Sequence, residues 1–157
     1  MILKLRERMA NREEGFTLVE LLVVMLIIGI LAAIAIPAFF NQRDKAKDAG
    51  AKEMAHTAQV AMETYATDNG GTYQNVTPAA LAAIENSIQT AGTSAYLSAA
   101  ASQGATFKGW TLTVTSPSTT NTFTIARDAT TGALSFTCGP VANQGTGGCP
   151  AGGNWTG

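Results

Sequence analysis

The chain has 157 residues, of which 46% are hydrophobic and 13% are charged, and its formal net charge is −1 at pH 7. This length allows one compact domain, or one domain with an appendage. Soluble domains carry about 25% charged residues, and an extended nucleic-acid interface needs clustered Lys and Arg. The composition therefore argues against specific nucleic-acid binding, and it argues equally against general disorder, which combines low hydrophobicity with high charge.

The few charged residues are unevenly distributed. Residues 21–42 contain none, and from residue 70 to the C-terminus there are four: Glu85, Lys108, Arg127 and Asp128. The low overall charge therefore belongs to two long regions, each of which needs its own explanation.

The first 40 residues divide into a polar segment and an apolar one. Residues 1–15 are polar, carry both cations and anions, and have no periodicity long enough to pack. In contrast, Phe16 to Phe40 is apolar apart from Thr17, Glu20, several small residues and Pro37. As a helix, this second segment is about 37 Å long, enough to cross a hydrocarbon core of about 30 Å. We therefore predict a helix over residues 16–40 that enters a membrane.

Residues 41–69 predict a continuation of this helix with an amphipathic pattern. Apolar residues at spacings of three and four form one stripe, which comprises Met54, Ala58, Ala61, Met62 and Tyr65. The charged residues around it, including Asp44, Asp48 and Glu53, are interpreted as a solvated surface, as is His56. Asn69, Gly70 and Gly71 are typical of a helix end.

The remaining residues predict a small sheet preceded by a short helix. Within residues 70–106, Pro78 to Ile88 has helical spacing, and residues 90–106 are interpreted as loop. Within residues 107–138, three segments alternate apolar residues with Thr or Ser, which is typical of antiparallel strands with one buried face. We expect this sheet to pack on the helical stripe, which gives an α+β fold.

The cysteines lie near the C-terminus, in and beside a Gly-rich loop. Cys138, Cys149 and His56 are scattered, whereas structural zinc needs four ligands, usually in close pairs. A disulfide between Cys138 and Cys149 is therefore favoured over a metal site, and it indicates an oxidising compartment. No metal or other cofactor is predicted, and residues 139–157 are expected to form a disulfide-closed loop and tail.

One carboxylate in the apolar segment points to a function. A central acid in a membrane span costs about 2.5–3.5 kcal/mol on insertion scales, so such a residue is by default a functional candidate that needs a partner. The carboxylate is Glu20, and it ends the sequence Gly15-Phe16-Thr17-Leu18-Val19-Glu20. This motif, with the apolar run behind it, resembles the processing and assembly motif of type IV pilins and of the related pseudopilins of type II secretion.

The resemblance implies roles for individual residues. A prepilin peptidase is expected to cleave between Gly15 and Phe16, which removes the leader 1–15, and the new Phe16 amine is expected to be N-methylated. Glu20 then pairs with the amine of a neighbouring subunit. Gly29 and Pro37 match the positions where the family's helix bends or melts in the filament, and both residues disfavour a helix on local grounds as well.

The resemblance also implies a life cycle. The chain is expected to be a structural protein and not an enzyme. It starts as a precursor in the cytoplasmic membrane, and an assembly platform and motor build it into a homo-oligomeric helical filament on the cell surface. The Cys138–Cys149 loop is expected to form an exposed, variable surface of that filament.

Three other hypotheses compete with the pilin interpretation. A pseudopilin of a type II secretion or DNA-uptake system would carry the same motif. A membrane-tethered binding domain that never polymerises would keep Met1. A secretory signal cut after Ala33-Ile34-Ala35 would leave Ile36 as the first residue, although Glu20 and the length of the apolar segment argue against it.

Overall fold

The computed structural model describes residues 15–155. They fall into two compact units, one that ends at Phe39 and one that begins at Phe40. Apart from Gly15, the predicted leader lies outside the described residues. The helices are α1 (Leu18–Asp68), α2 (Pro78–Ile84) and a short 3-10 helix (Val141–Asn143), and the strands are β1 (Tyr96–Gln103), β2 (Gly109–Ser116), β3 (Asn121–Arg127) and β4 (Leu134–Gly139).

Helix α1 is continuous over 51 residues. Its C-terminal end has the geometry of a glycine cap, because the Gly71 amide donates to the Ala66 carbonyl at 2.7 Å and Gly70 has a φ of +65°. A residue in the left-handed conformation lets the amides after the helix bond to its last carbonyls, and glycine adopts this conformation without a Cβ penalty. The helix therefore ends one residue before the expected boundary.

The four strands form one antiparallel sheet in the order β1-β2-β3-β4. A long N-terminal helix with this sheet confirms the predicted α+β fold. The large apolar residues of β2 and β3 face the interior, and Trp110, Leu112, Val114, Phe123 and Ile125 are each 0% exposed. Burial is weaker along β4, where Leu134 is 42% exposed.

The prediction of loop over residues 90–106 was wrong for Tyr96–Gln103, which is β1. This segment is rich in Ala and Ser and lacks the alternation that marks a half-buried strand. It is a strand because β2 supplies its hydrogen-bonding partners from Tyr96 to Gln103, with a register shift between Leu97 and Ala99. Strand formation here depends on the neighbouring strand more than on local preference.

The short helix α2 is also smaller than expected. It begins after Thr77, whose side chain accepts a hydrogen bond from the Ala80 amide at 3.2 Å, and it ends at Ile84 because Glu85 is extended. Ile88, predicted as part of this helix, lies beyond it but is still buried at 3% exposure.

The core of the second unit joins the sheet to the later half of α1. The buried helix residues recur at spacings of three and four and are mostly small; they are Ala51, Ala55, Ala58, Ala61, Met62 and Ala66. Met54 and Tyr65, which the sequence placed in the stripe, pack at its edges and are half-buried.

Two polar residues of α1 that were expected to be solvated are buried or half-buried. Asp48 is fully buried. His56 is half-buried, with its ring centroid 5.9 Å from that of Phe136 and 5.4 Å from that of Trp155. Aromatic packing therefore accounts for His56.

The C-terminal segment is held against the sheet. The Cys138–Cys149 disulfide is present, and the Cys138 amide donates to the Gly153 carbonyl at 2.7 Å. Trp155 is 2% exposed and donates its indole N–H to the Thr137 carbonyl at 2.8 Å. This segment packs although it carries no charged side chain.

Candidate functional site

The N-terminal motif forms a reciprocal cap at the start of α1. The Thr17 amide and hydroxyl both donate to Glu20 Oε2, at 3.0 and 2.9 Å, and the Glu20 amide donates to Thr17 Oγ1 at 3.2 Å. This is a capping box, in which residues three apart satisfy each other's open backbone amides. A carboxylate in the first turn also interacts favourably with the positive end of the helix dipole.

Glu20 therefore has a role inside its own chain that the functional interpretation of the sequence missed. The signal was visible, because Thr17-Leu18-Val19-Glu20 has the Thr-x-x-Glu spacing of a capping box. Only Oε2 takes part in these bonds. The second carboxylate oxygen is thus not required by the cap.

The Gly15–Phe16 peptide bond precedes the helix. Neither residue is helical, and the Phe16 side chain is 80% exposed. A Cβ added to Gly15 would meet no atom of the described residues within 4 Å, so nothing in this part of the chain requires glycine there. The bond is therefore accessible, and the reason for the glycine has to be sought outside the described structure.

The first half of α1 is apolar around its whole circumference and remains exposed. Large apolar side chains from Phe16 to Phe40 are 48–80% exposed. No residue in the most apolar stretch of α1 is buried. A helix that is hydrophobic all round belongs in a membrane or in a larger packed assembly. By length and composition, α1 qualifies as a membrane span.

Gly29 and Pro37 both lie inside this helical segment. Proline has no amide hydrogen to donate to the carbonyl four residues earlier, yet α1 continues as one helix through both positions. A Cβ on Gly29 would also meet nothing within 4 Å. Bending or melting at these residues therefore stays a prediction about an assembled state.

Asp128, one of the four charged residues after residue 70, has a structural role. Asp128 Oδ1 accepts hydrogen bonds from the Thr130 and Thr131 amides at 2.9 and 2.6 Å, so it stabilises the turn between β3 and β4. The bond from the Thr131 amide, followed by those from the Thr131 hydroxyl and the Thr130 amide, lowers the pKa of Asp128. Among residues 15–155, no cluster of three or more His, Cys, Asp or Glu side chains could hold a metal ion.

Comparison with known proteins identifies proteins with a similar N-terminal sequence. The profile of the family described as "Prokaryotic N-terminal methylation motif" matches residues 10–36. The chain is 35% identical over 81 residues to the type IV major pilin protein PilE1 of Neisseria gonorrhoeae, covering 52% of this chain and 49% of that protein. It is 49% identical over 55 residues to the type IV major pilin protein PilA of Myxococcus xanthus, covering 33% of this chain and 25% of that protein.

Over its N-terminal part, the chain is similar to type IV pilins. This family includes pseudopilins, and the chain is 40% identical over 59 residues to the type II secretion system core protein G of Pseudomonas aeruginosa, covering 38% of this chain and 42% of that protein. Pilins and pseudopilins are structural proteins and not enzymes, in agreement with the prediction from the sequence.

The similarity covers a limited part of these proteins. The matches span a quarter to a half of the length of the pilin and pseudopilin relatives named above. No solved structure gave a significant match. The similarity to type IV pilins therefore rests on the N-terminal motif and the sequence around it.

Proposed function

We propose that this chain is the structural subunit of a type IV pilus filament. The observation that carries the proposal is the exposed apolar half of α1 with one carboxylate in its first turn. Such a surface needs either lipid or other copies of the same helix. In the proposed cycle it has lipid first, in the cytoplasmic membrane, and other subunits later, in a filament outside the cell.

Cleavage between Gly15 and Phe16 by a prepilin peptidase is the first step. It removes the leader and leaves a free amine on Phe16, which is then N-methylated. The accessible, non-helical peptide bond supports this step, and so does the methylation motif matched over residues 10–36.

Pairing of Glu20 with the Phe16 amine of a neighbouring subunit is the second step. An α-amino group has a pKa near 8 and is mostly protonated at pH 7. Leaving one partner of a buried ion pair unpaired costs about 3–5 kcal/mol, so the pair would fix the register between subunits. Because Oε2 accepts the bonds from Thr17, Oε1 is available to the incoming amine without loss of the helix cap.

Assembly completes the cycle. An assembly platform and its motor would extract the subunit from the membrane, and Gly29 and Pro37 would let α1 bend or melt locally as the helices pack. The second unit, from Phe40 onward, would form the filament exterior together with its disulfide loop.

Substitutions at the N-terminal motif test this function. Glu20→Ala and Glu20→Gln should both be processed to a Phe16 N-terminus, yet give at least about tenfold less sheared filament protein, because they leave the amine unpaired. Thr17→Ala is the matched control, since it removes the capping hydroxyl and keeps the carboxylate. It should retain filaments. Peptide mass mapping of the mature N-terminus and electron microscopy of sheared material provide the readouts.

Two results would contradict the proposal. Normal filament yield from Glu20→Gln would remove the pairing role, and a mature chain that still begins at Met1 would favour a tethered domain that does not polymerise.

A pseudopilin is the second candidate, and its support is the 40% identity to a type II secretion core protein. Localisation separates the two candidates. A pilus subunit should be abundant in filaments sheared from the cell surface, whereas a pseudopilin should remain in the cell envelope after shearing.

A further inference from the structure

The second unit contains a buried carboxylate that filament assembly does not use. Asp48 lies on α1 and is 0% exposed. A charge removed from water is costly unless it is fully hydrogen-bonded. Among residues 15–155, no Lys or Arg side chain forms a salt bridge with Asp48. Its environment must therefore supply neutral donors.

Three donors from two other parts of the chain meet this carboxylate. The Thr119 hydroxyl donates to Oδ1 at 2.5 Å, and the Asn121 side-chain amide donates to Oδ2 at 2.6 Å. Thr119 lies in the β2–β3 turn, and Asn121 is the first residue of β3. The third donor is the Gly148 backbone amide, 2.7 Å from Oδ2.

Gly148 belongs to the disulfide loop, defined here as residues 139–148 between Cys138 and Cys149. Two glycines in this loop leave space for Asp48. A Cβ on Gly147 would lie 2.5 Å from Asp48 Oδ2, and a Cβ on Gly148 would lie 2.6 Å from Asp48 Cβ. Gly147 also has a φ of +56°. The loop sequence is therefore fitted to the carboxylate, beyond the need for a flexible turn.

The loop thus has two restraints that lead to different elements. The disulfide ties Cys149 to Cys138 on β4, while the adjacent Gly148 is tied to α1 through Asp48. We infer that Asp48 is a buried latch that keeps the disulfide loop on α1 after the Cys138–Cys149 bond is reduced. The surface presented by the loop, including the 80% exposed Val141, is then the same in the oxidised and reduced protein.

The latch is polar and directional, so a near-isosteric change should release it. Asp48→Asn replaces one acceptor oxygen by an NH₂ group, which then faces a donor and leaves at least one of the three donors unpaired. Asp44→Asn is the matched control. It makes the same chemical change one helical turn earlier on α1, where the carboxylate forms no hydrogen bond or ion pair with the described part of the chain.

Hydrogen exchange at the Gly148 amide measures the latch in the full-length protein in detergent micelles, before and after a thiol reductant opens the disulfide. In reduced wild type and reduced Asp44→Asn, exchange should stay within about threefold of the oxidised protein. In reduced Asp48→Asn it should be about tenfold faster or more, the range expected for losing a hydrogen bond to a charged acceptor. Oxidised Asp48→Asn should show a smaller increase, because the disulfide still holds the loop.

Two outcomes would overturn the inference. Reduced wild type could lose Gly148 protection as completely as reduced Asp48→Asn, which would make the disulfide the sole restraint. Alternatively, reduced Asp48→Asn could exchange as slowly as reduced wild type, which would leave the carboxylate without a role.

A second pair of variants applies if Asp48→Asn does not fold. Thr119→Ala deletes one donor and leaves Asp48 and Gly148 unchanged, and Ser118→Ala alters a neighbouring exposed hydroxyl of the same turn. After reduction, Thr119→Ala should accelerate exchange at Gly148 and Ser118→Ala should not. Equal exchange in the two variants would contradict the latch. None of these readouts depends on filament formation.

Discussion

The two halves of α1 are both rich in apolar residues, yet they differ in where those residues lie. In the half up to Phe39, large side chains such as Leu22 and Ile34 are 61% and 73% exposed. In the half from Phe40 onward, the buried positions are mostly alanines on one side, such as Ala55 and Ala58 at 0% exposure.

The difference shows that the pattern of apolar residues, more than their number, decides whether a chain buries them itself. A stripe at spacings of three and four can pack on one sheet. A surface that is apolar all round has more area than such a sheet can cover, so its partners have to come from lipid or from other copies. The predictions below test this contrast from the largest expected effect to the smallest.

Replacing a large core side chain should distinguish the two halves most clearly. Trp110→Ala removes a fully buried indole from the sheet face, and it should lower the free energy of unfolding by about 3–5 kcal/mol. Leu22→Ala, at a 61% exposed position, should leave that free energy unchanged in detergent. Denaturant titration of the full-length protein, followed by Trp155 fluorescence, measures both. Equal losses in the two variants would refute the contrast.

Enlarging a small helix residue tests the packed stripe. Ala58→Leu adds volume at a 0% exposed position that faces the core, and overpacking should cost about 1–3 kcal/mol of unfolding free energy. Val60→Leu adds one methylene on the same helix at a 67% exposed position and should change little. Thermal unfolding of the two variants compares them, and an unchanged midpoint for Ala58→Leu would mean that the stripe has room to spare.

A polar contact beside the core should give the smallest effect. The Tyr73 hydroxyl donates to Glu63 on α1 at 2.8 Å, and Tyr73→Phe should lower the free energy of unfolding by about 1 kcal/mol. Tyr96→Phe, on β1, is the matched control, since the Tyr96 hydroxyl forms no hydrogen bond with the described part of the chain.

The same contact gives a pH dependence. Burial, followed by the hydrogen bond to Glu63, raises the pKa of Tyr73 above its ordinary value of 10.0. The unfolded chain therefore loses this proton first as the pH increases. The contribution is fully present below pH 10 and is lost as the pH rises through the raised pKa. Unfolding midpoints measured from pH 8 to 11 should fall more steeply for wild type than for Tyr73→Phe, and parallel curves would remove this role.

Much of the fold could be predicted because local patterns carry it. The long apolar segment, the helical spacing before Asn69 and the alternation in β2 and β3 are all visible in the sequence. Strand β1 was not predictable in this way, because its Ala- and Ser-rich sequence has little intrinsic preference and gains its hydrogen bonds from β2. Leu97 is the one β1 residue that is fully buried, which is too little for a period-two signal.

The candidate site was predictable at the level of residue types and less so at the level of contacts. Glu20 stands out because an acid in an apolar segment needs a reason, whereas Gly15 and Phe16 were predicted from the resemblance to the pilin motif. The hydrogen bonds from Thr17 to Glu20 connect neighbours three residues apart, and the spacing alone could have indicated them. The environment of Asp48 could not be inferred, because its donors lie 71, 73 and 100 residues further along the chain.

The sequence by itself determined the elements whose cause is local: a helix long and apolar enough to enter a membrane, the carboxylate at its start, and strands that alternate Thr with large apolar residues. Only the tertiary structure decided which charged residue of α1 is buried and how the C-terminal loop is held. Burial of a charge depends on donors from distant segments that converge in space, and the spacing of residues along the chain carries no information about that convergence.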